Sequence, residues 1–218
     1  MNKYIDHTNL KPISLPSDIS ALCDEAKEYD FKSVCIQPNY VSFAKKQLQG
    51  SDVLVCTVIG FPLGANQISV KAAETKQAIE DGADEIDMVI SIAHALQQDE
   101  DYLTREINAV VKAAQGRLVK VILETCYLTN DQIVTACHAA AKAGATFVKT
   151  STGFGSGGAT VDHVSLMKQS IPSTMQVKAS GGVRSLEDAK AMIDAGATRL
   201  GTSSGVSIMK GQTSNNTY

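Results

Sequence analysis

Short apolar and β-branched runs alternate along the chain with longer segments whose apolar residues recur at helical spacing. The runs predict strands, and the segments between them predict amphipathic helices. The predicted strands are 5–10, 33–37, 53–59, 85–90, 118–123, the runs that start at Phe147 and Gln176, and 198–202. Predicted helices include 40–48, 69–81, 102–114, one starting at Thr129 and 204–210. Because no two strands follow each other directly, the pattern indicates a parallel α/β fold.

A short internal repeat supports this division of the chain. A helix end, then Gly-Ala, then entry into a strand recurs around Gly82, Gly144 and Gly196. Glycine at such a point is typical of a helix C-terminus in the left-handed conformation. Eight βα units predict a single-domain (β/α)8 TIM barrel over residues 1–210, with a flexible tail at 211–218. The alternative is a doubly wound open sheet, but no GxGxxG motif follows the first strand.

Two of the predicted strands carry a lysine in the middle and end in glycine. They are the runs from Phe147 and from Gln176, with Lys149 and Lys178 at their centres. Desolvating an ammonium is costly, so lysine is rare in a buried strand. Burial and a second cation both favour the neutral amine that can attack a carbonyl. One such lysine alone favours a structural ion pair with a buried carboxylate, whereas two on neighbouring strands favour a Schiff-base site.

The alternation within the strands predicts which side chains face the barrel interior. Apolar residues occupy every second position of the fourth to seventh strands, and we expect them to face the helices. The opposite, inward set is then Asp87, Lys120, Glu124, Lys149 and Lys178. A lysine nucleophile, a second cation and a carboxylate that moves protons can carry out an aldol reaction without metal. Lys120 lies earlier in its strand and is predicted to be structural. A simple buried Asp87–Lys120 ion pair remains an open alternative.

Glycines and hydroxyls after the last three strands predict a phosphate site. Such barrels commonly bind phosphate with the loops after strands seven and eight and the N-terminus of a short helix. Each glycine taken singly is also explained as an ordinary turn residue. The predicted substrate-binding residues are Thr150, Gly153, Gly181, Gly182, Ser203 and Ser204.

Composition narrows the possible functions. The chain has 218 residues, 44% hydrophobic, with a net charge of −3, and its charges are interspersed. No basic stripe indicates a nucleic-acid partner, and no apolar run is long enough to span a membrane. Five cysteines without a CxxC pair, and no signal peptide, predict reduced thiols in the cytoplasm. Four scattered histidines predict no zinc or iron site.

Several motifs together resemble the deoxyribose-phosphate aldolase family. They cover nearly the whole chain: YIDHT at 4–8, EIDMV at 85–89, ETC at 124–126, VKTSTGF at 148–154, VKASGGVR at 177–184 and GTSSG at 201–205. The resemblance implies reversible cleavage of 2-deoxy-D-ribose 5-phosphate to D-glyceraldehyde 3-phosphate and acetaldehyde, in deoxyribonucleoside catabolism. It implies Lys149 as the Schiff-base lysine, Lys178 as the cation that keeps it unprotonated, and Asp87 as the proton-relay acid. It also implies that no cofactor is needed and that the enzyme is a homodimer.

Two further hypotheses and two rival functions accompany the resemblance. Tyr218, at the end of the predicted tail, could help move a proton, and Cys35, near a strand end, could react with aldehydes. The rivals are another phosphosugar barrel, such as an epimerase or a different Schiff-base aldolase, and a catalytically silent phosphosugar-binding protein. Neither an epimerase nor a binding protein explains why two lysines lie on neighbouring strands.

Overall fold

A computed structural model describes residues 1–214 and shows a closed barrel of eight parallel strands in sequence order, β1 to β8. The predicted TIM barrel is therefore confirmed, and the open sheet is wrong because β1 also pairs with β8. The strands are β1 Ile5–Asn9, β2 Ser33–Ile36, β3 Leu54–Ile59, β4 Glu85–Val89, β5 Leu118–Ile122, β6 Phe147–Lys149, β7 Gln176–Ser180 and β8 Ala197–Thr202.

Helices cover the outside of this barrel. They are α1 Pro16–Glu28, α2 Val41–Gln47, α3 Ile68–Glu80, α4 Ile92–Leu96, α5 Glu100–Ala113, α6 Asn130–Lys142, α7 Val161–Gln169, α8 Leu186–Asp194 and α9 Gly205–Met209. Short 3-10 turns lie at Asn2–Tyr4, Pro38–Tyr40 and Thr125–Tyr127. The predicted capping box at Thr129 and Gln132 starts α6. The repeat glycines Gly82, Gly144 and Gly196 all have positive φ, as the C-terminal pattern predicts.

The helices differ from the predicted spans at two places. The segment after β4 holds two helices, because Gln98 has a positive φ and the Asp99 side chain caps a new helix by accepting from the Tyr102 amide. Helix α7 was absent from the predicted spans. It is nine residues long and buries only Val164 and Met167, so its apolar periodicity is weak.

Apolar packing is divided between the outside and the inside of the barrel wall. The large core lies between the strands and the helices. A second, small cluster lies on the inner side of β1 to β3 and consists of Leu10, Cys35, Cys56 and Val58, with Phe61 packed against it. The charged residues of the interior lie on β1 and β4 to β8, where Arg199 also packs over the ring of Phe147. We call this part of the interior the charged half of the lumen.

The polypeptide after α9 returns to the barrel. The amides of Gln212 and Ser214 donate to the carbonyls of Ser207 and Arg184. Tyr218, with the hypothesis attached to it, lies outside the described residues. Of the helices within residues 1–214, none has both the length and the apolar character that crossing a membrane would require.

Candidate active site

Asp87 lies at the centre of the charged half of the lumen. It is fully buried on β4, and its two oxygens accept hydrogen bonds from three ammonium groups. Lys120 binds Oδ1 at 2.8 Å, while Lys149 and Lys178 both bind Oδ2 at 2.8 Å. The structure thus brings together four of the five residues predicted to face inward. Burial alone would raise the pKa of Asp87, but these three cations hold it well below the usual range.

Lys149 and Lys178 differ in the number of their acceptors. Among residues 1–214, the one hydrogen bond of Lys149 Nζ goes to Asp87. Lys178 Nζ bridges Asp87 and Oδ2 of Asp6, at 2.8 and 2.5 Å. Although burial alone would lower it, Asp6 and Asp87 raise the pKa of Lys178 above its usual range. Lys178 is therefore a fixed cation next to Lys149, which sits on the paired position of the neighbouring strand.

The remaining charges of the network lie toward the N-terminal ends of the strands. Lys120 Nζ contacts Glu85 Oε2 at 2.7 Å, and Arg199 Nη1 contacts Asp6 Oδ1 and Glu85 Oε2 at 2.8 Å each. Burial would lower the pKa of Lys120, but Asp87 and the other anions raise it well above its usual range. Lys120 is thus an internal cation bound to several carboxylates, and its structural role stays a prediction.

Glu124 has a different position from the one expected of an inward strand residue. It follows β5 in a left-handed conformation, with φ of 55°, and its carboxylate accepts from the backbone amide and hydroxyl of Thr152. Burial raises the pKa of Glu124. Its hydrogen bonds therefore hold the loop that follows Lys149 rather than an ammonium group.

The predicted phosphate-binding residues lie in three neighbouring loops. Gly182, Ser203 and Ser204 line one small pocket between the loops after β7 and β8, together with Arg184. Gly181 has φ of 82°, and a Cβ on it would come within 3.0 Å of Gly158 in the loop after β6. The close approach requires glycine there. The loops after β6 and β7 therefore meet at this pocket.

Thr150 and Gly153 do not line this pocket. The buried hydroxyl of Thr150 donates to the Ser180 carbonyl and accepts from the Ser180 amide, which joins β6 to β7. Gly153 has φ of 90° in the loop after β6. Their contact with a substrate stays a prediction.

Two overlapping sets of three groups in the lumen are spaced closely enough to hold a metal ion. They are Cys35, Cys56 and Asp87, and Asp6, Cys56 and Glu85, and in each set the ligand atoms lie within 4.8 Å of one another. Both Asp87 oxygens already accept from lysine ammonium groups, and Cys56 Sγ donates to Asp87 Oδ1 at 3.2 Å. The positive charge around Asp87 disfavours a further cation.

Sequence reasoning missed several members of this network and a second buried ion pair. Asp6, Glu85 and Arg199 could have been found from their alternation with apolar neighbours in β1, β4 and β8. The second pair joins Lys71 of α3 to Glu106 of α5 at 2.7 Å, with both side chains fully buried. Its residues lie on helices whose predicted spans contain many polar positions, so no local signal marks them.

Comparison with known proteins now decides the family. A model of the DeoC/LacD family aldolases matches residues 1–211. The chain belongs to the DeoC/LacD aldolase family. Within it, a protein of Streptococcus gordonii named deoxyribose-phosphate aldolase is 60% identical over all of this chain and 99% of its own length. A relative of the same name from Lactococcus lactis is 58% identical with the same coverage.

The fold of the family is also found in solved structures. The deoxyribose phosphate aldolase of Aeropyrum pernix, described as a unique tetramer, superposes with a TM-score of 0.90. It is 35% identical, and the match covers 96% of this chain and 89% of that one. The family resemblance inferred from the motifs is thereby confirmed.

Proposed function

We propose that the protein is a class I aldolase that cleaves 2-deoxy-D-ribose 5-phosphate to D-glyceraldehyde 3-phosphate and acetaldehyde, and catalyses the reverse condensation. The observation that carries this proposal is the pair of lysines on one oxygen of Asp87 inside the barrel, with Lys149 at the C-terminal end of β6. Family membership and the names of the full-length relatives support the substrate.

Lys149 is the proposed nucleophile. Its amine attacks the C1 aldehyde of the open-chain sugar to form a carbinolamine, which loses water to give an iminium ion. Loss of the proton from the C3 hydroxyl then breaks the C2–C3 bond. The electron pair moves into the iminium, which becomes an enamine, and glyceraldehyde 3-phosphate leaves. Protonation of the enamine at C2 and hydrolysis release acetaldehyde and restore Lys149.

Lys178 and Asp87 supply the electrostatics and the proton transfers of this sequence. Lys178 stays charged next to Lys149, and a like charge favours the neutral form of a neighbouring amine. Asp87 contacts Lys149 directly, so it is placed to take and return protons at the nitrogen during formation and loss of the carbinolamine. Both roles are part of the proposal.

The substrate phosphate is proposed to bind in the pocket of Gly182, Ser203 and Ser204. Ser203 and Ser204 directly precede α9, which starts at Gly205. Backbone amides at a helix start and in glycine loops are suited to an anion. Arg184, which lines the same pocket, adds a positive charge that the sequence did not indicate. Thr150, Gly153 and Gly181 complete the proposed binding set.

Borohydride trapping tests the proposal directly. Protein treated with 2-deoxyribose 5-phosphate or acetaldehyde plus borohydride should carry one reduced adduct, mapped by mass spectrometry to Lys149. Lys149→Met should show none, whereas Lys71→Met, with a different buried lysine removed, should still be labelled. An adduct on Lys178 would reverse the two lysine roles. Folded protein without any adduct would refute the class I mechanism.

Assembly and location complete the proposal. We propose a homodimer in the cytoplasm, with residues 1–210 as the barrel domain. All five cysteines are free thiols, which fits a reducing compartment. Light scattering coupled to size-exclusion chromatography would measure the assembly, and a mass of four chains would favour the tetrameric state described for the Aeropyrum pernix protein.

A further inference from the structure

The hydrogen-bonded ion network in the lumen contains unequal numbers of cations and carboxylates. The hydrogen-bonded network has four cationic side chains, Lys120, Lys149, Lys178 and Arg199, and three carboxylates, Asp6, Glu85 and Asp87. All of them are at least 95% buried. Since an uncompensated buried charge is expensive, a network of this composition favours the loss of one proton from one of its cations.

Lys149 is the member of the network with the fewest carboxylate partners. Lys120, Lys178 and Arg199 each contact at least two carboxylates of the network. Lys149 contacts one, Asp87, and shares that oxygen with Lys178. A cation with fewer anionic partners gains less electrostatic stabilisation from its charge.

The balance depends on a pair that never touches the nucleophile. Arg199 lies over the ring of Phe147 and bonds to Asp6 and Glu85, and neither it nor Glu85 has a hydrogen bond to Lys149 or Lys149's partner Asp87. Proceeding from the proposed Schiff-base function, we infer that Arg199 and Glu85, from the N-terminal side of the lumen, set the charge balance that holds Lys149 in its unprotonated, nucleophilic form. They are positioning residues that act through the network.

Other ionisable groups lie around Lys149 and its partner Asp87. They are the thiols of Cys35 on β2 and Cys56 on β3, and the carboxyl of Glu124 after β5. Cys56 donates to Asp87, and Glu124 is bonded to Thr152. These groups are the same in wild type and in variants of Arg199 or Glu85. A difference between such variants therefore reports the charge at positions 199 and 85.

The test is a pair of single substitutions that change the network charge in opposite directions. Arg199→Gln removes a cation and makes protonation of Lys149 easier, so the pH at half-maximal kcat/KM on the acid side should rise. Glu85→Gln removes an anion and should lower the same pH. At an effective dielectric constant of about 20, the gain or loss of one unit charge in the network corresponds to a shift of about one pH unit in this half-maximal point. The pH dependence of the borohydride adduct on Lys149 should shift equally.

Two further variants separate charge from structure. Arg199→Lys keeps the charge and should leave the acid limb at the wild-type pH, even if kcat falls. The double variant Glu85→Gln/Arg199→Gln removes one anion and one cation, so the net charge of its network equals that of the wild type. Its pH at half-maximal kcat/KM on the acid side should lie within about 0.3 of the wild-type value. Ionic strength is held constant, and thermal unfolding checks each fold. If the single variants do not fold, the double variant decides, and a shift of about one unit in it contradicts the inference.

The outcomes distinguish this inference from the proposed function. If both single variants shift the acid limb of the kcat/KM profile in the same direction, or leave it at the wild-type pH, the role of Arg199 and Glu85 is overturned. If that happens while wild-type protein forms the Lys149 adduct, the aldolase proposal stands. Wild-type protein without an adduct overturns the aldolase proposal itself.

Discussion

The protein buries lysines in two regions, and the two regions treat them differently. Lys71 lies outside the barrel wall, fully buried, where its ammonium donates to the carbonyls of Gly64 and Val89 and to Glu106. Three acceptors match the three N–H bonds of an ammonium. Lys149 lies inside the lumen, where its hydrogen bond goes to an oxygen that it shares with Lys178.

This difference shows that burial by itself does not make a lysine a nucleophile. Burial lowers the pKa of Lys71, a change usually associated with reactive amines. Its contacts nevertheless use every donor and hold the loop after β3 against the end of β4. Lys149 has a single acceptor, faces the lumen and neighbours a fixed cation. Among the described residues, Lys71 uses all three of its N–H donors and Lys149 uses one, and this difference separates the two sites.

Removing the nucleophile should give the largest effect. In Lys149→Met we expect kcat/KM to fall by about 10⁵-fold or more, because the covalent step has no substitute. Steady-state cleavage of deoxyribose 5-phosphate measures it, and thermal unfolding checks that the barrel remains. Retention of more than a hundredth of the activity would contradict the assignment of Lys149.

Breaking the other lysine site should mainly change stability. In Lys71→Met, Glu106 stays buried without its partner, and we expect the free energy of unfolding to fall by about 3–5 kcal/mol. Replacing both residues by Lys71→Met/Glu106→Leu should recover most of this loss. Urea denaturation measures both. If the double variant lost as much activity as Lys149→Met, the claim that the Lys71 site mainly affects stability would be contradicted.

The two regions should also respond oppositely to acid. The cations around Asp87 depress its pKa, so its stabilisation is present above the unfolded value of about 3.9 and is lost as pH falls through the folded value. Burial raises the pKa of Glu106 above its unfolded value of about 4.3. The folded protein therefore binds this proton more tightly than the unfolded chain, so stability rises as pH falls from the folded pKa toward the unfolded one. Urea midpoints between pH 3 and 7 measure both.

Glu106→Gln is the variant that separates these contributions. In this variant stability should no longer increase as pH falls toward about 4, whereas the loss of stability at still lower pH should remain. An unchanged profile in this variant would show that Glu106 does not titrate differently in the folded and unfolded states.

The smallest expected effect concerns Cys35, in the small apolar cluster on the inner side of β1 to β3. Cys35 is fully buried beside Cys56 in the inner apolar cluster, and we expect Cys35→Ala to lose activity more slowly than wild type in acetaldehyde. Cys137→Ala is the matched control, because Cys137 is buried outside the barrel and burial raises its pKa to about 12. Residual activity against incubation time measures the rates. Equal rates in wild type and Cys35→Ala would refute the hypothesis.

The sequence by itself determined the barrel and the central chemistry of the interior. Alternation within strands is a local property, so it predicted the inward faces of β4 to β7 and with them Asp87, Lys120, Lys149 and Lys178. The capping box of α6 and the repeat glycines are equally local signals. Helix α7 was missed because its short apolar face gives a weak period.

Only the tertiary structure decided which charges are partners. Arg199 contacts Glu85 and Asp6, which are 114 and 193 positions away, and Lys71 contacts Glu106 from another helix. Closure of the barrel between β1 and β8 and the register of its strands bring these groups within hydrogen-bonding distance. Periodicity predicts which face of a strand a side chain occupies. The partner of a buried charge depends on which residue lies across the lumen, and a local sequence pattern carries no information about that residue.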